Sequence, residues 1–152
     1  MIRKGNLSDK RELQTLCVES ILEVCKPDYS TEQLSVWSSG INNKKRWQNI
    51  FANQLVLVAQ KNGHIKGFCT LDGNYIDLFY VHKDHLRQGI ARKLFAEIEK
   101  SAKQQGHIEL TSDVSKTARP FFERMGFIVK TEQIVEIKGV EMTNYKMSKA
   151  IE

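Results

Sequence analysis

Leu13, Leu16, Cys17, Ile21 and Val24 recur at helical spacing, and Pro27 follows. This predicts a first helix that stops near Cys25 or Lys26. Ser8 or Asp9 can cap it, with Glu12 completing a box from Asp9, after a short strand over Ile2–Lys4. "STEQ" (Ser30–Gln33) reads as a second capping box ahead of Leu34 and Trp37, and Gly40 ends that helix. Trp47, Ile50 and Phe51 mark a third helical face. The period then changes. "LVLVAQ", the turn "KNGH" and "IKGFCTL" predict a hairpin, Asn62-Gly63 being the turn signal. "YIDLFYV" (Tyr75–Val81) is apolar nearly throughout, as in a central strand covered on both faces.

Beyond Gly89, Ile90, Ala91, Leu94, Ile98 and Ala102 form the apolar stripe of an amphipathic helix closed by Gly106. "HIELTS" reads as a short strand, and Ser115–Met125 as a helix holding Pro120 in its first turn. Two last strands, Phe127–Ile137 and Val140–Met147, meet at Lys138-Gly139. In the second, apolar parity shifts from Val140 and Met142 to Tyr145 and Met147, which predicts a bulge near Thr143-Asn144. This order of elements implies one α/β (α+β) domain over residues 1–152, a mixed sheet covered by helices.

Composition narrows the function. The 41% hydrophobic and 27% charged residues fit a soluble globular chain. No run approaches the ~18 apolar residues of a membrane span, and "MIRKGNLSDK" is no signal peptide, so a cytoplasmic protein without membrane contact is expected. A net charge of +5 suits an anionic ligand. The basic residues are spread out, however, with no Lys/Arg block, and no nucleic-acid partner is expected. Cys17, Cys25 and Cys69 form no CxxC and read as buried hydrophobes. His82 and His85 have no completing ligand set, so no metal is expected.

The stretch with chemical character is "YVHKDHLRQGIARKLF", Tyr80–Phe95. A strand ends, a basic segment surrounds Gly89, and a helix begins. Unpaired N–H groups and the positive dipole end at a helix start attract anions, and glycine lets a ligand approach the backbone. Arg87, Gln88 and Arg92 add polar groups suited to a diphosphate. Neither GxxxxGK[ST] nor GxGxxG occurs, which excludes the P-loop and the dinucleotide fingerprint.

"VHKDHLRQGIA" resembles the acetyl-CoA signature of the GNAT superfamily of N-acetyltransferases, Gln/Arg-x-x-Gly-x-Gly/Ala after the fourth strand. "SKTARPFFERMGF" (Ser115–Phe127) is similar to that family's second signature, Asn-x-x-Ala-x-x-Phe-Tyr-x-x-x-Gly-Phe. The resemblance covers nearly the whole chain. It implies a mostly antiparallel sheet of roughly six or seven strands with about four helices, and acetyl-CoA as cosubstrate without a metal. It implies that Phe79, Tyr80 and Val81 pair with the pantetheine through backbone N–H groups and polarise the thioester. Arg87, Gln88, Gly89, Ile90, Ala91 and Arg92 would hold the diphosphate, and Ser115 and Phe122 the pantetheine arm. Three positions depart from the pattern: Leu86 replaces the Gln/Arg, Ser115 replaces the Asn and shortens the reach to the pantetheine arm, and Phe122 replaces the tyrosine that often protonates the thiolate.

Asp77, the only charged residue of its strand, is the candidate base, because a carboxylate there is costly unless paired and burial would raise its pKa. At period two it shares a face with Tyr75, Phe79 and Val81. The competing reading is a structural carboxylate met by backbone or an arginine. Tyr145, Ser115 or water would protonate the thiolate. Tyr29, in the "KPDYS" turn, and Trp37 are candidate acceptor contacts. The expected activity is direct acetyl transfer to a primary amine of a small molecule or peptide. A non-catalytic acyl-CoA sensor is the alternative. Exposed sheet edges would allow a homodimer.

Overall fold

The computed structural model describes residues 1–152. Seven strands form one sheet in the order β1-β2-β3-β4-β5-β7-β6. They are β1 (Ile2–Lys4), β2 (Leu55–Lys61), β3 (His64–Asp72), β4 (Tyr75–Val81), β5 (Glu109–Ser115), β6 (Ile128–Ile137) and β7 (Val140–Ala150). Only β4 and β5 run parallel. Helices α1 (Lys10–Glu19), α2 (Thr31–Ser39) and α3 (Lys44–Asn53) cover one face. Helices α4 (Ile90–Gln104) and α5 (Arg119–Arg124) cover the other. This is the expected mixed α/β architecture, with five helices rather than four. No helix is long and apolar enough to cross a membrane.

Each face has its own core. Leu13, Ile21, Trp47, Ile50 and Phe68 pack under α1–α3, and Leu94, Ile98, Leu110 and Met147 under α4 and α5. The Ser30–Gln33 capping box at the start of α2 has both of its bonds. The first capping box lies earlier than the sequence implied: Asn6 and Asp9 form it, ahead of a 3-10 turn that leads into α1. After Glu19 the helix widens into a π-helical turn over Ser20–Val24 and ends before Pro27.

Three expectations need correcting. First, β4 is bulged. Cys69 pairs with Phe79 and Leu71 with Ile76, so β4 carries one extra residue at Asp77-Leu78 opposite Thr70. The Leu78 N–H donates to Thr70 Oγ1 (3.0 Å) instead of a backbone carbonyl. Parity is lost there, and Asp77 faces α3 while Phe79 packs against Phe121 and Phe122 on the opposite face. Second, β7 has no bulge at Thr143-Asn144; its register with β5 and β6 is continuous there, and the irregularity lies in β6 between Val129 and Thr131. The parity shift instead records a change of buried face, since Met142 belongs to the α1–α3 core and Tyr145 and Met147 to the other. Third, the helix read as Ser115–Met125 spans only Arg119–Arg124, with Pro120 in its first turn, and Ser115 ends β5.

Candidate active site

Strands β4 and β5 stay together only at Tyr75–Thr111 and Ile76–Ser112 and then splay apart. The Ser112 hydroxyl donates to Ile76 O (2.7 Å) and pins the point of divergence. The opening is a groove of about 220 Å³. Phe79, Tyr80 and Val81 line its β4 side, Asp113, Val114 and Ser115 its β5 side, and Leu86, Ala91, Ala118, Phe121 and Phe122 the wall toward α4 and α5. Ser20, Val24, Cys25 and Trp37 close it from the α1–α2 side. The groove therefore runs through the sheet.

The backbone of β4 faces this gap with unused donors. His82 N–H donates to Lys66 O of β3 (2.8 Å). Alternation along the strand then turns the N–H groups of Phe79 and Val81 away from β3, toward the splay. At the end of β4, Gly89 (φ 79°) is the N-cap of α4, and no side chain caps the first turn. Arg87, itself left-handed (φ 61°), Gln88 and Arg92 are exposed around it, and Ile90 is half-buried. A Cβ at Gly67 would meet Tyr80 O at 3.0 Å and Ile90 Cγ2 at 3.1 Å, so that glycine lets α4 start close against β3 and β4.

Asp77 reaches the groove from the α3 side, and its carboxylate is engaged. Arg46 donates Nη1 to Oδ2 (3.0 Å) and Nη2 to Oδ1 (2.9 Å), and Gln54 Nε2 donates to Oδ2 (2.8 Å). The pair holds the Arg46 guanidinium above its usual pKa, chiefly through these hydrogen bonds. Across the splay, the Tyr75 hydroxyl donates to Asp113 Oδ2 (3.0 Å) and Gln133 Nε2 to Asp113 Oδ1 (3.1 Å). Burial and then Asp113 push the Tyr75 phenol up, so it remains a donor. Burial also drives the Tyr80 phenol well above its ordinary range and the Cys25 thiol to about 11.

Tyr145 does not line the groove; its ring lies under the Arg119 guanidinium, 4.6 Å from ring centre to Cζ. Tyr29 is buried, and its hydroxyl accepts from Lys116 N–H (2.9 Å) and donates to Thr143 O (2.8 Å). Its ring meets Trp37 edge-on at 5.4 Å. Sequence reasoning missed the closing residues Ser20, Val24 and Cys25, which lie in and directly after the π-helical turn that ends the first helix. Ala118 and Phe121 carried a readable signal, since both belong to the second signature.

Comparison with known proteins gives this geometry its context. The family model for the acetyltransferase (GNAT) domain matches residues 25–149. The chain belongs to the GNAT acetyltransferase family. It is 34% identical to the uncharacterized N-acetyltransferase YafP of Escherichia coli K12, over 96% of this chain and 93% of that one. A GCN5-related N-acetyltransferase structure from Rhodopseudomonas palustris superposes with a TM-score of 0.94 at 31% identity, covering 99% of this chain and 94% of the other. The PaiA N-acetyltransferase of Thermoplasma acidophilum, solved in complex with coenzyme A, shares the fold (TM-score 0.81, 22% identity, 99% and 98% covered). Membership in the GNAT family makes the chain an N-acetyltransferase, as its two signatures implied.

Proposed function

We propose that this GNAT enzyme transfers the acetyl group of acetyl-CoA to a primary amine by direct attack in a ternary complex. The observation that carries the reading is the groove opened by the β4–β5 splay, which leads to the uncapped start of α4. A CoA-bound neighbour of the same fold supports it. The pantetheine lies in the groove between Ser115 and Phe122, paired with the Phe79 and Val81 N–H groups. The diphosphate rests on Arg87, Gln88 and the N–H groups from Gly89 to Arg92. The amine nitrogen attacks the thioester carbon, the oxyanion is met by the β4 N–H groups, and the C–S bond breaks to release CoA thiolate.

Cys25 lines the groove, but a thiol held near 11 is protonated at neutral pH, which opposes an acyl-cysteine relay. Phe122 has no proton to give and Tyr145 stands outside the groove, which leaves Ser115 in the groove wall or solvent to protonate the thiolate. The Arg46 fork supports Asp77 as an anchor of the groove wall rather than the base, with the amine losing its proton to water. Three free, buried cysteines suit a reducing compartment and hence the cytoplasm.

The test is thiol release from acetyl-CoA across a panel holding an aminoglycoside, a polyamine and peptides, with mass detection of the acetylated product. Amine-dependent release with one acetyl group added is expected. Bound acetyl-CoA with only background hydrolysis would make the protein a sensor instead.

A further inference from the structure

Next to the groove, sharing Trp37 and Ser115 with it, is a slot of about 80 Å³ between α2 and the β6–β7 hairpin. Its walls are Tyr29, Trp37, Val135, Ile137 and Met142, and Asn144 supplies its polar end. Asn144 Oδ1 is buried there without any hydrogen-bond partner. The reason lies in its neighbours. Asn144 pairs with Ser115 on β5 and Gln133 on β6. Gln133 Nε2 is given to Asp113, Ser115 Oγ receives the Ala118 N–H, and the Tyr29 hydroxyl is given to Thr143 O. None of these groups donates to Asn144 Oδ1, and a buried carbonyl left alone is costly unless something else donates to it.

We infer that Asn144 Oδ1 receives a neutral N–H or O–H donor of the acceptor, whose short apolar arm fills the slot beside Trp37 and Met142. The acceptor class is then a primary amine carrying a small aliphatic group and an uncharged donor, as in an aminoacyl amide, and not a polycation. The cation beside the slot agrees. Lys116 Nζ stands 5.5 Å over the ring of Tyr29 in the slot wall. It would repel a second ammonium.

This inference rests on the transferase reading, and its test separates the two. Leucinamide, isoamylamine (the same arm without the donor) and spermidine are compared as acceptors for the wild-type enzyme, Asn144→Leu and Met142→Trp. The wild-type ratio of kcat/KM for leucinamide over isoamylamine contains the difference in amine basicity as well as the Asn144 contact, and comparison with the variant cancels the first. Asn144→Leu should lower that ratio about tenfold, the scale of leaving a buried polar group unpaired, while leaving the KM for acetyl-CoA unchanged, and Met142→Trp, which fills the slot, should lower turnover of both arms. Spermidine as the best of the three overturns the inference. So does an equal loss on both aliphatic amines in Asn144→Leu. No turnover of any of them by a protein that acetyl-CoA stabilises also overturns it, with the cofactor reading intact. If acetyl-CoA neither stabilises the protein nor is consumed, the transferase reading itself fails.

Discussion

A carboxylate on a central strand is tolerated only when its charge is met, and Asp77 meets it through the two-pronged contact from Arg46. With Gln54 on the same carboxylate, Asp77 is better placed to hold α3 against the groove wall than to collect a proton. Asp77→Asn keeps the size and removes the charge. Because Arg46 is 41% exposed, its guanidinium can turn to water, and the stability cost should be about 1 kcal/mol, or about 2–4 °C in Tm. Turnover should stay within about threefold; a loss on the order of a hundredfold would restore Asp77 as the base. The sequence showed that Asp77 needed a partner but not which one, since Arg46 lies 31 residues earlier on a helix of the α1–α3 layer. The substitutions at Leu86 and Phe122 were readable directly, because they fall inside fixed motif positions.

At the scale of elements, the candidate active site is shaped by two irregularities, the β4 bulge and the β4–β5 splay. Neither was legible. A strand apolar on both faces has no alternation for a bulge to interrupt, and a parallel neighbour arriving through α4 leaves no pairing signal in the sequence. Turns and caps were legible because they depend on local chemistry. Asn62-Gly63 and Lys138-Gly139 both adopt positive φ as hairpin turns require, and Ser30–Gln33 closes its box. The close seat of α4 on the sheet can be tested at Gly67. In Gly67→Ala the new methyl meets Tyr80 O, Ile90 and Leu94 within 3.0–3.3 Å. It should cost about 1–3 kcal/mol, and by moving the start of α4 it should weaken acetyl-CoA binding in calorimetric titration about tenfold. Stability lost with full affinity retained would separate the helix position from cofactor binding.

For the whole molecule, the consequence of two cores on one sheet is a groove that passes between them. Its walls come from α4 and α5 on one side and from α2 and the end of the first helix on the other. In the proposed reaction, cofactor and acceptor enter this groove from opposite faces of the sheet. The order of elements and the two signatures made this architecture legible from the sequence, whereas the slot beside Asn144 needed β6, β7 and α2 brought together in space. The central claim is that the splay and the start of α4 form a coenzyme A cradle. It is tested most directly by thermal unfolding with acetyl-CoA, using ATP and NAD as matched anions. At about 100 times its dissociation constant, acetyl-CoA should add about 2.7 kcal/mol, raising Tm by roughly 5–10 °C, with little shift from the other two. Equal shifts from all three ligands, or none from acetyl-CoA, would contradict the account.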